Sequence, residues 1–223
     1  MLVIVLASVL VYRYRVNVFT KFNVHPFNVD ECEGEDMAFD AFVCCAGEDD
    51  QVARTIVHCL EHCEPGTVGY RVCYHARDFP LGGVITASIE WAIEHSKRVV
   101  CLMSNDFVAS EMCMLEFLSA WHWNIARHKH RLIIIKWPDL DLDPVNDLDP
   151  VNVGRERGHR ENVRLFLSTY TYIEYGSDTW WRQVLYAMPI NRLASRCPDD
   201  QPPHCLESLT LRNQEQHILI RRL

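Results

Sequence analysis

Two histidines and two cysteines alternate along one predicted helix in a pattern that could bind a metal ion. His58 and His62, like Cys59 and Cys63, stand four residues apart, so each like pair lies on one face of the helix. Imidazole and thiolate are the usual ligands of protein zinc sites. The two pairs lie on adjoining faces, however, and would need ligands from elsewhere to complete a tetrahedron. We expect Cys59 and Cys63 to face the core, and we predict no metal site.

The remaining motifs supply no convincing catalytic set. The sequence contains neither a Gly-x-x-x-x-Gly-Lys phosphate loop nor a Gly-x-Ser-x-Gly nucleophile elbow. A tandem repeat of DLDPVN, over residues 141–146 and 147–152, offers carboxylates but lacks the glycine and the terminal glutamate of an EF-hand. We interpret the duplication as a surface loop, where insertions cost little, and we predict no cofactor.

The composition is that of an ordinary globular protein in a reducing compartment. The 223 residues are 48% hydrophobic and 23% charged, which is enough for one domain with a full core. The formal net charge of −8 argues against general nucleic-acid binding, which needs clustered Lys and Arg. Seven of the ten cysteines lie in apolar or helical stretches, which indicates reduced, cytosolic thiols rather than a disulfide framework.

The first 12 residues, MLVIVLASVLVY, resemble the end of a transmembrane helix. They carry no charged side chain, and Arg13, Arg15 and Lys21 follow them. As a helix the run reaches about 18 Å, against roughly 30 Å of bilayer hydrocarbon, so it is predicted to be a partial span. The basic residues then place the rest of the chain in the cytosol by the positive-inside rule. A signal peptide lacks support, and a buried core helix is the alternative.

The chain then alternates between short apolar strands and amphipathic helices. Strands are predicted at residues 38–45, 70–74, 98–104, 131–137 and 170–175. Helices are predicted to begin near Glu48, Ile85, Ser110 and Thr179. Residues 75–83 are predicted to form a loop that two glycines close. This alternation indicates an α/β protein: a flavodoxin-like, doubly wound, five-stranded parallel sheet with helices on both faces.

Irregular segments flank the alternating region. Residues 13–37 end in an acidic cluster and are predicted to be a juxtamembrane linker. Residues 190–223 begin with a polar, Pro-rich stretch that predicts a disordered tail, while a weak apolar pattern leaves a docking helix open. The single domain is therefore assigned to residues 38–189.

Three motifs are spread over this domain. Phe39-Asp40-Ala41-Phe42-Val43 begins the first strand. Arg77-Asp78-Phe79-Pro80-Leu81-Gly82-Gly83 follows the second strand. Thr179-Trp180-Trp181 begins the last helix. In this order and spacing they resemble the three sequence boxes of the Toll/interleukin-1 receptor (TIR) domain family, with the loop proline one place earlier than in the family's Arg-Asp-x-x-Pro-Gly.

The resemblance implies a TIR fold that works by contact between proteins. The loop after the second strand is a principal contact surface in this family, which makes residues 77–83 the predicted interaction loop. Within it we predict that Phe79 and Leu81 are contact residues, the alternative being that both pack the loop against the domain. Structural roles are implied for the motif residues Phe39, Asp40, Ala41, Phe42, Trp180 and Trp181.

The linker carries a further resemblance. Residues 25–35, HPFNVDECEGE, are similar to the segment just inside the membrane of invertebrate Toll receptors. This implies a single-pass membrane protein, in the plasma membrane, with a cytoplasmic TIR domain. Ligand-induced dimerisation would bring two TIR domains together to recruit TIR-domain adaptors, in innate immune or developmental signalling. A soluble adaptor and an interleukin-1-receptor type are the alternatives that the sequence upstream would distinguish.

One glutamate leaves an enzymatic alternative open. Some TIR domains cleave NAD with a glutamate on the helix after the third strand, and Glu116 matches that position. Receptor-type TIR domains also carry glutamate there, so the residue alone does not separate an enzyme from a scaffold. We expect no catalytic residue and assign Glu116 a salt bridge or a place on the helix surface.

Overall fold

A parallel β-sheet forms the centre of the molecule. The computed structural model describes residues 37–62, 69–127, 131–143 and 150–189. Its strands are β1 (Phe39–Cys44), β2 (Val72–Tyr74), β3 (Ser96–Met103), β4 (Leu132–Lys136) and β5 (Ile173–Glu174). All neighbours pair in parallel, in the order β2-β1-β3-β4-β5. This is the flavodoxin-like order, so the predicted fold class is confirmed.

Helices cover both faces of the sheet. They are α1 (Asp50–Glu61), α2 (His75–Asp78), α3 (Ile85–Glu94), α4 (Asn105–Ala109), α5 (Glu111–Arg127), α6 (Pro150–Thr169) and α7 (Trp180–Ala187). Residues of α1 and α7 pack in one apolar cluster, and residues of α3 to α6 pack in the other. The domain therefore has three layers, as expected for right-handed βαβ crossovers that alternate between two faces.

Alternate residues of the strands supply the two clusters. In β1, Ala41 and Val43 belong to the α1 side, whereas Phe42 and Cys44 belong to the α5 side, and all four are fully buried. Successive side chains of a strand point to opposite faces, so a strand that is covered on both sides must be apolar throughout. This requirement accounts for the continuous apolar runs in the sequence.

Two helices lie largely in segments to which the sequence analysis assigned no structure. The 20-residue helix α6 begins at Pro150, inside the second DLDPVN copy, so the duplicated segment is not wholly a surface loop. Its inward stripe is narrow, since Val163 and Phe166 are the fully or nearly fully buried apolar residues along its described side chains. Charged and polar residues fill most of the remaining described positions and obscure the helical period of the apolar residues. The other missed helix, α4, is only five residues long.

The predicted limits of two further elements were wrong. Residues 75–78 form the short helix α2 rather than loop. The last strand is confined to two residues, because Tyr170 leaves the sheet and joins an aromatic cluster. Its ring stacks on Phe166 with centroids 4.6 Å apart and meets the edge of Trp121 at 6.5 Å. The aromatic side chain of Tyr170 therefore packs between helices rather than in the sheet.

Several predictions concern residues outside the described ranges. The apolar run 1–12, nearly all of the linker 13–37 and the tail 190–223 lie there. Among the described residues, no helix is both long and apolar enough to cross a membrane. The cysteines in the described ranges are buried thiols outside any disulfide, as predicted, namely Cys44, Cys45, Cys59, Cys73, Cys101 and Cys113.

Candidate functional site

Arg77 fastens the predicted interaction loop to helix α1. Its Nη1 and Nη2 atoms donate to the two carboxylate oxygens of Glu61, each at 2.8 Å, and Nη2 also donates to the Val72 carbonyl at 2.6 Å. The Glu61 carboxylate raises the pKa of Arg77 by hydrogen bonding to the charged form. Two-pronged contacts of this kind fix orientation as well as distance. Arg77 is therefore a positioning residue.

Asp78 completes the base of the loop. Its Oδ2 atom accepts a hydrogen bond from the backbone nitrogen of Tyr74 at 2.7 Å, which joins α2 to the end of β2. Its Oδ1 atom accepts from Nε of Arg77 at 2.9 Å. The Arg-Asp pair of the motif thus makes contacts within the domain and holds the start of the loop in place.

The loop ends in a tight turn over Pro80, Leu81, Gly82 and Gly83. The Gly83 nitrogen donates to the Pro80 carbonyl at 3.2 Å, and Gly82 has a φ of 75°. Positive φ at the third residue is the mark of a type II turn, which needs glycine there and favours proline at the second residue. Leu81 occupies that second position. The turn therefore forms although the proline is one place early, and its second position carries the flexible side chain of Leu81 instead of a rigid proline ring.

The two predicted contact residues have different surroundings. Leu81 is fully exposed, at 103% of its reference area. Phe79 is half-buried, and its ring stacks on Phe42 of the core with centroids 5.8 Å apart. Phe79 therefore packs against the core, whereas the Leu81 side chain is exposed to solvent. Val84 and Ile85 follow the turn and are 69% and 57% exposed, and we call Leu81, Val84 and Ile85 the apolar tip.

The first-strand motif lies at the opposite end of the sheet. Asp40 is 8% exposed, and its two oxygens accept hydrogen bonds from Nζ of Lys97 and from the backbone nitrogen of Arg71, both at 2.9 Å. It therefore ties the amino ends of β1, β2 and β3 together. Ala41 is fully buried, and Phe39 meets the edge of Trp91 with ring centroids 5.9 Å apart.

The tryptophans of the third motif lie in the core. Trp180 and Trp181 are 3% and 4% exposed. The Trp180 ring lies 4.8 Å from that of Tyr175, which in turn stacks on Trp137 at 4.2 Å. Helix α7 is thereby fixed to the edge of the sheet at β4 and β5.

The family model of the TIR domain matches residues 41–167, more than half of the chain. The chain belongs to the TIR domain family. Toll of Drosophila melanogaster is 28% identical over 167 residues, which cover 74% of this chain and 14% of that protein. Toll-like receptor 4 of Homo sapiens is 26% identical over 199 residues, which cover 84% of this chain and 21% of that protein. The resemblance to the TIR domains of Toll-type receptors is thus confirmed.

Among solved structures, the TIR domain of the Toll-related receptor TRR-2 from Hydra magnipapillata is similar to this chain. The match has 22% identity and a TM-score of 0.43, and covers 66% of this chain and 96% of that domain. The chain spans only 14% to 22% of the length of the Toll and Toll-like receptor 4 proteins that it matches. The domain limits of 38–189 stay a prediction.

Glu116 is buried inside this TIR domain, and the expected salt bridge or surface position was wrong. The residue is 6% exposed, and no cation pairs with it among the described residues. Burial raises its pKa to about 8, and a hydrogen bond with the Cys44 thiol opposes that shift only in part. At neutral pH the group is therefore largely protonated. A neutral carboxyl group that is hydrogen-bonded to the Cys44 thiol explains how the core accommodates it.

Sequence reasoning missed a second buried carboxylate, at the carboxyl ends of β1 and β3. Asp49 is 7% exposed and accepts a hydrogen bond from Oγ of Ser104 at 2.5 Å. The same Oγ accepts from the Phe107 nitrogen at 3.1 Å and caps α4. Burial raises the pKa of Asp49 to about 6, and the nearby Asp106 and Glu48 carboxylates add to the effect. The acidic run from Glu48 to Asp50 predicted only the start of a helix. Nothing in the sequence shows that Asp49 is the buried residue of this run.

The histidine-cysteine pattern on α1 divides between core and solvent. Cys59 is 7% exposed and faces the core, as predicted, whereas His58 and His62 are exposed. Cys63 lies outside the described residues. Within the described ranges, no group of three or more His, Cys, Asp or Glu side chains is placed to hold a metal.

Proposed function

We propose that this chain is the cytoplasmic signalling part of a Toll-type single-pass receptor, and that its TIR domain recruits TIR-domain adaptors through the apolar tip. The observation that carries the proposal is the full exposure of Leu81 on a turn whose base is held by Arg77. Homology with the TIR domains of Toll and Toll-like receptor 4 supports it.

The apolar tip has the physical properties of a docking element. Burying an exposed leucine against a partner is favourable by roughly 25 cal/mol for each Å² of apolar surface removed from water. Because intrachain hydrogen bonds already order the turn, little conformational entropy is lost when it binds. A contact between two rigid domains needs side chains that are held in place but still exposed to solvent.

Tethering to the membrane makes such a weak contact depend on dimerisation of the receptor. One small apolar patch binds weakly, because association costs translational and rotational freedom. Dimerisation of the receptor by its ligand brings two TIR domains together and raises their effective concentration to the millimolar range. Self-association of the TIR domains then creates a joint surface for the adaptor.

Adaptor recruitment by a charged variant tests the proposal. Leu81→Glu should abolish co-precipitation of a co-expressed TIR-domain adaptor, because a carboxylate at the tip cannot enter an apolar contact. The matched control is Leu165→Glu on α6, which changes another exposed leucine, 56% exposed, to the same residue. Both variants should keep the circular dichroism spectrum of the wild type. Equal recruitment by the two folded variants would reject the apolar tip as the docking site.

Hydrolysis of NAD is the second candidate, and the position of Glu116 is the feature that favours it. A catalytic carboxylate must reach the ribose, whereas Glu116 is 6% exposed and largely protonated at neutral pH. Asp49 and Asp106 also place negative charge at the carboxyl ends of β1 and β3, which disfavours a diphosphate there. We expect the purified chain to release no nicotinamide from NAD in a Glu116-dependent manner. Steady turnover that Glu116→Gln removes would establish the enzyme instead.

A further inference from the structure

Two exposed histidines stand side by side at the end of α1. His58 and His62 are one helical turn apart, and their rings stack with centroids 4.3 Å apart and planes at 18°. Both side chains are exposed. Residues at this spacing are neighbours on a helix surface, so their imidazoles can reach one common point in solvent.

The backbone sets the tautomer of one ring. Nδ1 of His62 lies 3.1 Å from the carbonyl oxygen of His58, and since a carbonyl only accepts, Nδ1 carries the proton. The lone pair of His62 is therefore on Nε2. Metal-binding histidines commonly donate one ring N–H to a backbone carbonyl in this way, which fixes the other nitrogen as the ligand. In the described part of the chain, the ring of His58 makes no hydrogen bond that would oppose its rotation.

We propose that His58 and His62 form a two-imidazole chelate for a divalent late transition metal ion such as Ni²⁺, Cu²⁺ or Zn²⁺. These ions accept imidazole nitrogen, at about 2.0–2.1 Å for zinc. The stacked rings must open slightly so that both Nε2 atoms point at one ion, which rotation of the His58 side chain achieves. The remaining coordination positions face solvent. This site differs from the closed four-ligand site that the sequence argued against, because Cys59 is turned into the core.

The chelate adjoins the interaction loop. Glu61 lies between the two histidines in the sequence, and both its carboxylate oxygens bind Arg77 at the base of the loop. A bound ion would hold the last turn of α1 in its helical form, because both ligands must stay on one face. The same turn carries the anchor of the loop, so metal binding should stabilise the position of the anchor.

Titration of the full chain, without an affinity tag and in detergent micelles, tests the site. Isothermal titration with Ni²⁺ should show saturable binding of one ion per chain. His58→Ala and His62→Ala should each weaken that binding by at least about tenfold, since loss of one imidazole removes the chelate. Both residues are exposed, so both variants should fold, which circular dichroism checks.

His95 supplies the matched control. It also follows a helix, and its Nδ1 lies 2.8 Å from the carbonyl oxygen four residues earlier, but its ring stacks on Trp91 rather than on a histidine. His95→Ala should therefore bind Ni²⁺ like the wild type. Any binding of Ni²⁺ to cysteine thiols is the same in the wild type and in all these variants, so it does not affect the comparison of their affinities.

A residue-resolved signal completes the test. In chains with labelled histidine, paramagnetic Ni²⁺ should broaden the imidazole resonances of His58 and His62 before those of the other histidines. The proposal is overturned if the wild type shows no saturable binding, if either alanine variant binds as tightly as the wild type, or if the broadening begins at other histidines.

Discussion

Glu61 and Arg77 face each other across the junction between α1 and the interaction loop. Nη1 and Nη2 of Arg77 each lie 2.8 Å from a carboxylate oxygen of Glu61. Leu60, the residue before Glu61, is fully buried in the core. The loop is thereby fastened to a helix that cannot move without disturbing that core. A rigid base and a wholly exposed tip are combined in one short segment.

Removal of this ion pair should loosen the loop with a small loss of stability. Glu61→Gln keeps the size of the side chain but loses the charge, and we expect the free energy of unfolding to fall by about 1 kcal/mol, since the pair is partly exposed. Adaptor recruitment should fall more clearly, because the tip loses its fixed orientation. Urea denaturation and co-precipitation measure the two effects.

Arg54→Gln is the control for that prediction. It breaks the ion pair between Arg54 and Asp50 near the start of the same helix and leaves the contact between Glu61 and Arg77 intact. Its stability loss should be similar or smaller, and adaptor recruitment should not change. If both variants reduced recruitment equally, a general effect on α1 would explain the result and the anchoring role of Glu61 would be rejected.

Two glycine substitutions should have opposite effects on stability. Gly82→Ala should lower the free energy of unfolding by about 1 kcal/mol, because its φ of 75° disfavours a side chain. Gly158→Ala should raise it by roughly 0.5–1 kcal/mol, because Gly158 lies in α6 and an added Cβ meets nothing within 4 Å. Thermal denaturation gives both signs. A stabilising Gly82→Ala would mean that the turn is not of type II.

The buried carboxyl group of Glu116 should make stability depend on pH. Its pKa rises from 4.5 to about 8 on folding, so between these values the unfolded chain loses a proton that the folded chain keeps. The free energy of unfolding should therefore fall as the pH rises through this window, by at most about 1.4 kcal/mol per unit. Below pH 4.5 the stabilising effect of the protonated group is fully present.

Glu116→Gln isolates that contribution. Glutamine resembles the protonated acid, so the variant should equal the wild type near pH 4, below the window, and gain on it steadily towards pH 8. Asp49 titrates lower, with a pKa of about 6, and is common to both proteins. Denaturation curves at several pH values supply the comparison. A stability difference that stays constant from pH 5 to 8 would contradict a raised pKa for Glu116.

Asp40 should contribute to stability rather than to recruitment. Asp40→Asn weakens the contact with Lys97 at the amino end of the sheet and leaves polar groups less well paired, which should cost about 1–3 kcal/mol. Adaptor binding by the folded fraction should not change, because the apolar tip is at the other end of the strands. Chemical denaturation measures the first effect, and binding at a temperature where the variant stays folded measures the second.

Much of the fold was predictable from the sequence, because the pattern of apolar residues along each strand reflects its burial on both faces of the sheet. The apolar runs of β1, β3 and β4 and the repeat in α1 indicated the correct fold class. Helix α6 was missed because its described inward side chains are few, and the last strand was extended too far because Tyr170 packs between helices. In both cases tertiary contacts outweighed the local pattern.

The sequence predicted where the candidate loop lies relative to the strands, but not which of its side chains are exposed. The segment from Arg77 to Gly83 follows β2, and the positive φ of Gly82 is expected from the residue type alone. Which side chains point outward did not follow, because Phe79 and Leu81 are both apolar and only the core beneath the loop separates them. Whether adaptors bind this surface stays a prediction.

Local sequence patterns were enough to predict the family, the order of the five strands along the chain and the glycine that the turn requires, because these depend on residues close together in the chain. The tertiary structure decided the partners of charged groups. Arg77 pairs with Glu61, 16 residues earlier, and Ser104 with Asp49, 55 residues earlier, while Glu116 on α5 is buried and shares a hydrogen bond with the Cys44 thiol of β1. Burial, charge and hydrogen bonding at these sites arise from contacts distant in sequence, and so only folding defines them.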